Sequence, residues 1–234
     1  MPVRKVRNSG SNIIGSFPSL KMEPILIDYE STIERDLLYF LEYDPTVIEY
    51  HAQPMIITAT DTEGETHTYT PDFLVIRTSR KVIVECKPEA LVGGTNAQRQ
   101  IRMGQVWVDT NDLDFVIVTD TKLRRDHTLE NLKLFWRYAR LKVPTAIVAG
   151  CMAYLKACPG DISFEDLAAY LSSLANAQGK QPPFIQAPFI YGMLFRHILQ
   201  ADLTRPILPA TMIRLSSSVD SIRVTPGLPS ILIP

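Results

Sequence analysis

Two β-rich runs joined by a short polar turn constrain the fold of this chain more than any other feature of its 234 residues. The runs cover residues 69–76 and 82–87, and the turn covers residues 77–81. Both runs contain the β-branched and aromatic residues typical of strands, and a short polar turn between two strands favours an antiparallel hairpin. The sequence therefore predicts a β-hairpin in the first half of the chain.

The predicted hairpin brings three charged side chains to one place. Side chains alternate between the two faces of a strand, so Glu85 and Lys87 point the same way. Pairing of the two strands then places Asp72 beside Glu85. We therefore expect two carboxylates and one lysine to converge at one end of a sheet. The alternative is an ordinary hairpin with Glu85 and Lys87 on a solvent-exposed face and Asp72 in a turn.

The surrounding elements predict a mixed α/β domain. A helix begins near Ser31 and is stopped at Asp44-Pro45, because the residue before a proline disfavours the helical conformation. The other expected elements are strands over 55–59 and 115–119 and a helix over 96–110. Helices that alternate with strands indicate an α/β layout over residues 25–124. Residues 1–24, a mixture of basic, Ser, Gly and Pro positions, are predicted to form an arm with little core of its own.

The second half of the chain changes to a helical pattern. Apolar residues recur at helical spacing in the segments 129–139, 151–156, 164–174 and 190–203. Ser163 is placed to cap the third of these helices, and residues 211–215 read as a closing strand. Several short helices with a terminal strand predict a small winged-helix or helix-turn-helix domain over residues 125–215. Residues 216–234 are predicted to be a Ser- and Pro-containing tail that docks on a partner.

Composition limits the class of function. The net charge is −1, so the chain is not a basic protein that holds DNA by bulk charge. The three cysteines form no even disulfide framework, and the four histidines complete no zinc pattern. No apolar run approaches the roughly 20 residues that span a bilayer, and no apolar stretch follows the basic N-terminus as in a signal peptide. We therefore expect a soluble, intracellular protein without a membrane partner.

Hydrolysis of a phosphodiester requires the residue types that the hairpin brings together. Close carboxylates repel each other unless a cation neutralises them, and Mg²⁺ prefers oxygen ligands. A bound metal ion polarises a phosphoryl oxygen and lowers the pKa of an attacking water. We expect Asp72 and Glu85 to bind Mg²⁺, with the main-chain carbonyl of Cys86 as a further ligand. Lys87 is expected to stabilise charge on the phosphate or to orient the water.

These residues resemble the PD-(D/E)xK nuclease superfamily, in the form Pro71-Asp72 followed by Glu85-Cys86-Lys87. A wider set of motifs resembles one family within it, TnsA, the endonuclease subunit of heteromeric bacterial transposases. The motifs are a helix with Ser31-x-x-Glu34, a strand with Gln53-Pro54, the PDFLV strand that begins at Pro71, and a hydrophobic strand that ends in Thr119-Asp120. The resemblance covers residues 28–120 well and the C-terminal helical part loosely.

The resemblance implies a mixed-sheet PD-(D/E)xK nuclease domain followed by a small α-helical, winged-helix-like domain. It also implies that Glu34 belongs to the active site, as a metal ligand or as a group that orients Lys87. The residues alone offer another interpretation, because Ser31 and Glu34 have the S-x-x-E spacing of a helix capping box.

Four further polar side chains have two interpretations each. Gln53 either lines the site or is an ordinary polar residue of an edge strand. Lys122, Arg124 and Arg125 either contact DNA phosphates or belong to a solvated charged surface. The residues by themselves do not decide between these interpretations.

For function, the resemblance implies an Mg²⁺-dependent endonuclease, with Mn²⁺ able to substitute, in the bacterial cytoplasm. Proteins of this family cut the 5′ ends of a transposon, the non-transferred strands, while a DDE transposase processes the other strand. The C-terminal domain is expected to engage the transposase and an AAA+ regulator. One rival is a stand-alone restriction, repair or junction-resolving nuclease of the same superfamily. Another is a non-catalytic DNA- or protein-binding adaptor with a relic nuclease fold.

Overall fold

The structure, a computed structural model, describes residues 13–22, 26–60, 64–177 and 186–216, with the side chains of 175–177 left out. These residues form two compact units that divide between Arg125 and Asp126, one residue after the domain boundary predicted at residue 124. We call them the N-terminal unit and the C-terminal unit. The greater part of the predicted tail and the first twelve residues of the predicted arm lie outside the described residues.

The N-terminal unit is a mixed α/β structure around a four-stranded sheet. Its helices are α1 (Thr32–Tyr43), α2 (Thr95–Asn111) and α3 (Asp120–Leu123), with a 3₁₀ turn at Glu89–Leu91. Its strands are β1 (Gly15–Pro18), β2 (Leu26–Tyr29), β3 (Val47–Ala52), β4 (Ile57–Thr60), β5 (Thr66–Tyr69), β6 (Phe73–Arg77), β7 (Lys81–Lys87) and β8 (Asp114–Thr119). The main sheet has the order β3-β6-β7-β8, and β1-β2 and β4-β5 form separate hairpins. The main sheet is mixed, because β7 and β8 are parallel and the other neighbours are antiparallel.

Helix α1 begins and ends close to the predicted residues. Ser31 is its N-cap, and the hydroxyl of this residue accepts a hydrogen bond from the Glu34 amide at 3.1 Å. The helix ends at Tyr43, two residues before Pro45. Leu37 and Leu41 on its buried face are no more than 1% exposed. The apolar spacing and the cap therefore place this helix against the core of the N-terminal unit.

The predicted β6-β7 hairpin is confirmed, but its first strand is shorter than expected. Phe73 pairs with Val84 in an antiparallel register. The single strand predicted over residues 69–76 is wrong, because Tyr69 ends β5, where it pairs with Ile57 of β4. The break falls around Pro71, which has no N–H group with which to continue a strand ladder.

The prediction of an arm with little core is wrong for residues 13–22. Strand β1 pairs with β2, and the side chains of Phe17 and Met22 are only 3% and 8% exposed. A few buried apolar side chains are enough to hold this short hairpin in the N-terminal unit, because the polar groups around it also have hydrogen-bond partners. Such partners are present at Glu42, which is 4% exposed and accepts hydrogen bonds from the Ser19 hydroxyl and, at 2.6 Å, from the Tyr50 hydroxyl.

Lys21 ties this N-terminal segment to the end of α1. Its ammonium group donates hydrogen bonds to the main-chain carbonyls of Leu41, at 2.8 Å, and Asp44, both at the end of α1. A third bond, of 2.9 Å, reaches the carbonyl of Val47 at the start of β3. Burial lowers the pKa of Lys21 to about 8, while the charges of Glu42 and Asp44 act against that shift. The carbonyls left over at a helix C-terminus thus receive a cationic donor.

In its described residues, the C-terminal unit combines four helices with a small antiparallel sheet. Its helices are α4 (Thr128–Trp136), α5 (Thr145–Ala157), α6 (Phe164–Ala177) and α7 (Gln186–Phe195). Its strands β9 (Ile162–Ser163), β10 (Leu199–Gln200) and β11 (Met212–Leu215) lie in the order β10-β11-β9. None of the helices in the described part of the chain has the length and apolar character needed to span a bilayer.

Two local predictions for the C-terminal unit have different outcomes. Ser163 caps α6 as expected, since its hydroxyl accepts a hydrogen bond from the Asp166 amide at 3.1 Å. The helical segment predicted over 190–203 is wrong beyond Phe195. His197 has a φ of 55°, which ends the helix, and residues 199–200 form β10 instead.

Replacement of Lys21 by Met should lower the free energy of unfolding by about 2–4 kcal/mol, because three carbonyls lose their donor while most of the side-chain volume remains. Urea denaturation of the full chain measures this loss. The control is Lys81→Met, a change at an exposed position, which should shift the stability by less than about 0.5 kcal/mol. Equal effects of the two variants would show that Lys21 does not hold the end of α1.

Candidate active site

The β6-β7 hairpin brings Asp72, Glu85 and Lys87 together at one end of the two central strands of the sheet. Because Phe73 pairs with Val84, the preceding Asp72 lies opposite the following Glu85. One carboxylate oxygen of Asp72, Oδ2, accepts a hydrogen bond from the Cys86 amide at 2.7 Å. The three charged groups singled out from the sequence therefore share one location.

Both carboxylate oxygens of Glu85 have hydrogen-bond donors. Its Oε1 lies 2.7 Å from the Lys87 ammonium group, and its Oε2 accepts a hydrogen bond from the Tyr69 hydroxyl. Only 2% of Glu85 is exposed, whereas 22% of the Lys87 side chain is. The alternative that placed Glu85 on a solvent-exposed strand face is therefore wrong.

Glu34 combines a capping role with a position near the other carboxylates. Its Oε2 accepts a hydrogen bond from the amide of Glu30 at 2.9 Å, one residue before the N-cap Ser31, so the side chain reaches back over the start of α1 much as in a capping box. The residue is buried, with 8% of its surface exposed. Burial raises the pKa of Glu34, hydrogen bonds from Glu30 and Ser31 oppose the rise, and Glu85 adds to it. The capping interpretation is thus observed, while its role in metal binding stays a prediction.

The electrostatics of the site are dominated by buried negative charge. Burial raises the pKa of Asp72 well above its ordinary value, and the charges of Glu85 and Glu34 raise it further. Burial alone lowers the pKa of Lys87, but the charges of Glu85 and Asp72 outweigh it, so the pKa lies above its usual value. The site therefore combines one lysine with three carboxyl groups that repel one another, an arrangement that a further cation would relieve.

The carboxylate oxygens of the site are of the type that binds a hard divalent cation, although they are not arranged around a single point. Carboxylate oxygens are the ligands that Mg²⁺ prefers. Within the described residues, no three His, Cys, Asp or Glu side chains are grouped closely enough to hold a metal ion. One of the expected ligand oxygens, Oε1 of Glu85, already bonds the Lys87 ammonium group. Metal binding by Asp72, Glu85 and the Cys86 carbonyl stays a prediction.

Gln53 is joined to Asp72 through the main chain. It follows the edge strand β3, and its amide donates a hydrogen bond to the Asp72 carbonyl at 2.9 Å. Its φ of 45° lies in the left-handed region, which is uncommon for a residue other than glycine. Its side-chain Oε1 is buried and has no hydrogen-bond partner within the described residues. This residue therefore lies next to the site, and contact with substrate stays a prediction.

The three basic residues predicted to contact DNA are exposed but differ in their contacts. The Arg124 guanidinium group binds the buried Asp36 carboxylate through Nε at 3.0 Å and Nη2 at 2.8 Å. The Lys122 ammonium group donates to the Ile117 carbonyl at 2.9 Å. Arg124 is therefore committed to a structural ion pair, and phosphate contacts by any of the three residues stay a prediction.

Tyr69 is the member of this cluster that the sequence motifs do not reveal. It is 3% exposed, and its hydroxyl reaches Glu85 from a different hairpin, β4-β5. Burial, together with the charge of Glu85, raises the pKa of Tyr69 far above its ordinary value, so the hydroxyl stays protonated and serves as a donor. In the sequence this residue looks like any aromatic residue in a strand.

The contribution of Asp72 to the stability of the metal-free protein should fall as the pH rises above about 4. An unfolded aspartate has a pKa of about 3.9, and the pKa of Asp72 is raised in the folded state, so the folded state binds more protons above that pH. Asp72→Asn keeps an acceptor for the Cys86 amide and removes the charge. At pH 7 in EDTA, this variant should be more stable than wild type, because it lacks the charge that the folded state disfavours.

Urea denaturation in EDTA at several pH values tests this expectation. Asp109→Asn is the matched control, because Asp109 is exposed on α2, and this change should leave the pH dependence as in wild type. A pH profile of Asp72→Asn identical to that of wild type would contradict the prediction.

The comparison with known families agrees with this geometry. Residues 44–120, about a third of the chain, match the family model described as TnsA-like endonuclease N terminal. The matched segment contains Asp72, Glu85 and Lys87, whereas Glu34 precedes it. No curated protein matches this chain. The match indicates a transposition-associated endonuclease that acts on DNA, and it confirms over residues 44–120 the resemblance to the TnsA-like nucleases.

Proposed function

We propose that this protein is a metal-dependent DNA endonuclease that cuts the 5′ ends of a transposon, the non-transferred strands, together with a DDE transposase. The observation that carries the proposal is the meeting of Asp72, Glu85 and Lys87 at one sheet edge, inside the segment that matches the TnsA-like family. A hairpin with one structural ion pair has no need for a buried Glu34 and a partly buried Asp72 beside it.

Asp72 and Glu85 are the proposed ligands of Mg²⁺ or Mn²⁺, with Glu34 and the main-chain carbonyl of Cys86 as additional ligands. When bound, the metal supplies a Lewis acid for the phosphate and an activated water. The ammonium group of Lys87 supplies positive charge for the phosphate oxygens during bond cleavage.

The Glu85-Lys87 ion pair supports the proposal that the enzyme depends on delivered DNA. A cleft opens beside Lys87 between the 3₁₀ turn and the start of α2, and Leu91, Thr95 and Gln100 are among its lining residues. A phosphate placed in this cleft would compete with Glu85 for the ammonium group. Release of Lys87 would leave Glu85 Oε1 available as a ligand. Cleavage by the isolated chain should therefore be slow.

The features of the C-terminal unit favour a role in binding partner proteins over a role in recognising DNA bases. Its order, helix α5, strand β9, helices α6 and α7, and strands β10 and β11, is consistent with the winged-helix domain expected from the sequence. A helix that reads the major groove presents polar and basic side chains to base edges. Helix α7, in the place of such a helix, contains no charged residue, and six of its ten residues are buried. We propose that this unit binds the DDE transposase and an AAA+ regulator.

The proposed function is tested by strand-specific cleavage of transposon-end DNA with the cognate transposase. Wild type is compared with Asp72→Ala in Mg²⁺ and in EDTA, and Asp109→Ala on the exposed face of α2 is the matched control. We expect 5′-end cutting by wild type and the control only in Mg²⁺, and at least a hundredfold loss in Asp72→Ala. The transposase should still cut the 3′ ends in every reaction that contains Mg²⁺.

Two outcomes would contradict the proposal in different ways. Rapid cutting of bare duplex DNA by the isolated chain would indicate a stand-alone nuclease of the same superfamily. Unchanged 5′ cutting by Asp72→Ala would place the chemistry elsewhere and favour a non-catalytic adaptor.

A further inference from the structure

Tyr69 connects a small hydrophobic cluster to the candidate active site. Its ring packs with Ile57 and Met103, which are 2% and 8% exposed, and Trp107 of α2 packs against the same cluster. The ring is fixed by these contacts and by the pairing of Tyr69 with Ile57 in the β4-β5 hairpin. The position of its hydroxyl is therefore set by elements outside the β6-β7 hairpin.

The hydroxyl and Lys87 together fix the orientation of Glu85. Tyr69 donates to Oε2, while Lys87 binds Oε1 at 2.7 Å. A carboxylate with one donor on each oxygen loses rotation about its last side-chain bond. We expect the contact from Tyr69 to persist and the contact from Lys87 to break more easily. The Tyr69 ring is enclosed by the core, whereas the Lys87 side chain is 22% exposed. When Lys87 moves toward a phosphate, Tyr69 alone retains the orientation.

We propose that Tyr69 is a positioning residue that holds the Glu85 carboxylate in the orientation required to bind a divalent cation. The inference rests on the proposed function and extends it to a residue outside the PD-(D/E)xK motif. Hydrogen-bond partners of metal-ligating carboxylates orient the ligand, and their loss typically weakens metal affinity by tenfold to a hundredfold. The Tyr69 hydroxyl bonds Oε2 of Glu85, so Oε1 remains available to bind either the Lys87 ammonium group or the metal.

The N-terminal unit offers a matched control for this role. Tyr50 is fully buried, and its hydroxyl donates a hydrogen bond of 2.6 Å to the Glu42 carboxylate. Tyr50→Phe and Tyr69→Phe therefore remove the same kind of bond, between a buried tyrosine and a buried glutamate, and both leave the ring in place. Only Tyr69→Phe acts at the candidate site.

Titration of the full-length chain with Mn²⁺ by isothermal calorimetry tests the inference. Wild type, Tyr69→Phe, Tyr50→Phe and Asp72→Asn are compared, with urea denaturation to verify that each is folded. We expect the Kd of Tyr69→Phe to rise by about tenfold or more, and that of Tyr50→Phe to equal the wild-type value. Cleavage by Tyr69→Phe should recover as the metal concentration is raised, which a general loss of folding would not produce.

The outcomes separate this inference from the proposed function. Mn²⁺ binding that is lost in Asp72→Asn but unchanged in Tyr69→Phe would overturn the role of Tyr69 and leave the proposed function standing. Equal weakening in Tyr50→Phe and Tyr69→Phe would also overturn it, because the effect would then be structural. Binding that is unchanged in Asp72→Asn would place the metal elsewhere and overturn both proposals.

Discussion

The N-terminal unit is organised around buried negative charge at one edge of its sheet. Glu85 is almost completely buried and Asp72 is partly buried, and the repulsion between them raises the free energy of the ionised site. The β6-β7 register fixes this proximity, because any pairing that keeps Phe73 opposite Val84 also keeps the two carboxylates together. Lys87 neutralises only part of this charge. The sheet therefore holds more negative charge at this site than the positive charge of the described residues neutralises.

The same unit contains a buried glutamate of a different kind, and the contrast identifies the site. Glu42 accepts hydrogen bonds from Ser19, the Leu20 amide and Tyr50, and this network joins β1, α1 and β3. Its environment consists mainly of donors, so it needs no further cation. Glu85 also has two donors, yet it lies beside Asp72, whose pKa is raised well above its ordinary value. Burial alone therefore does not mark a functional carboxylate, whereas burial among other carboxylates does.

The elements that could be predicted are those defined by local pattern. The cap and apolar face locate α1, and the turn at 77–81 locates the β6-β7 hairpin with Asp72 beside Glu85. Strand β3 has no such local signal and is expected only from the resemblance, as a strand with Gln53-Pro54, because its two buried apolar side chains, Val47 and Tyr50, are three residues apart across a bulge. The contact from Tyr69 to Glu85 could not be predicted either, since it depends on how a separate hairpin packs.

The charge of the whole chain and the charge of its site must be considered together. A net charge of −1 provides little general attraction for DNA, and the site adds three carboxylates near the point where a phosphate would approach. A phosphate and these carboxylates repel each other unless cations lie between them. The described cation of the site is Lys87, and in the proposed function a bound metal is the second, so approach of DNA and loading of the metal would favour each other. Under the proposed function, this coupling accounts for a nuclease of near-neutral charge that cuts slowly until a partner holds the DNA in place.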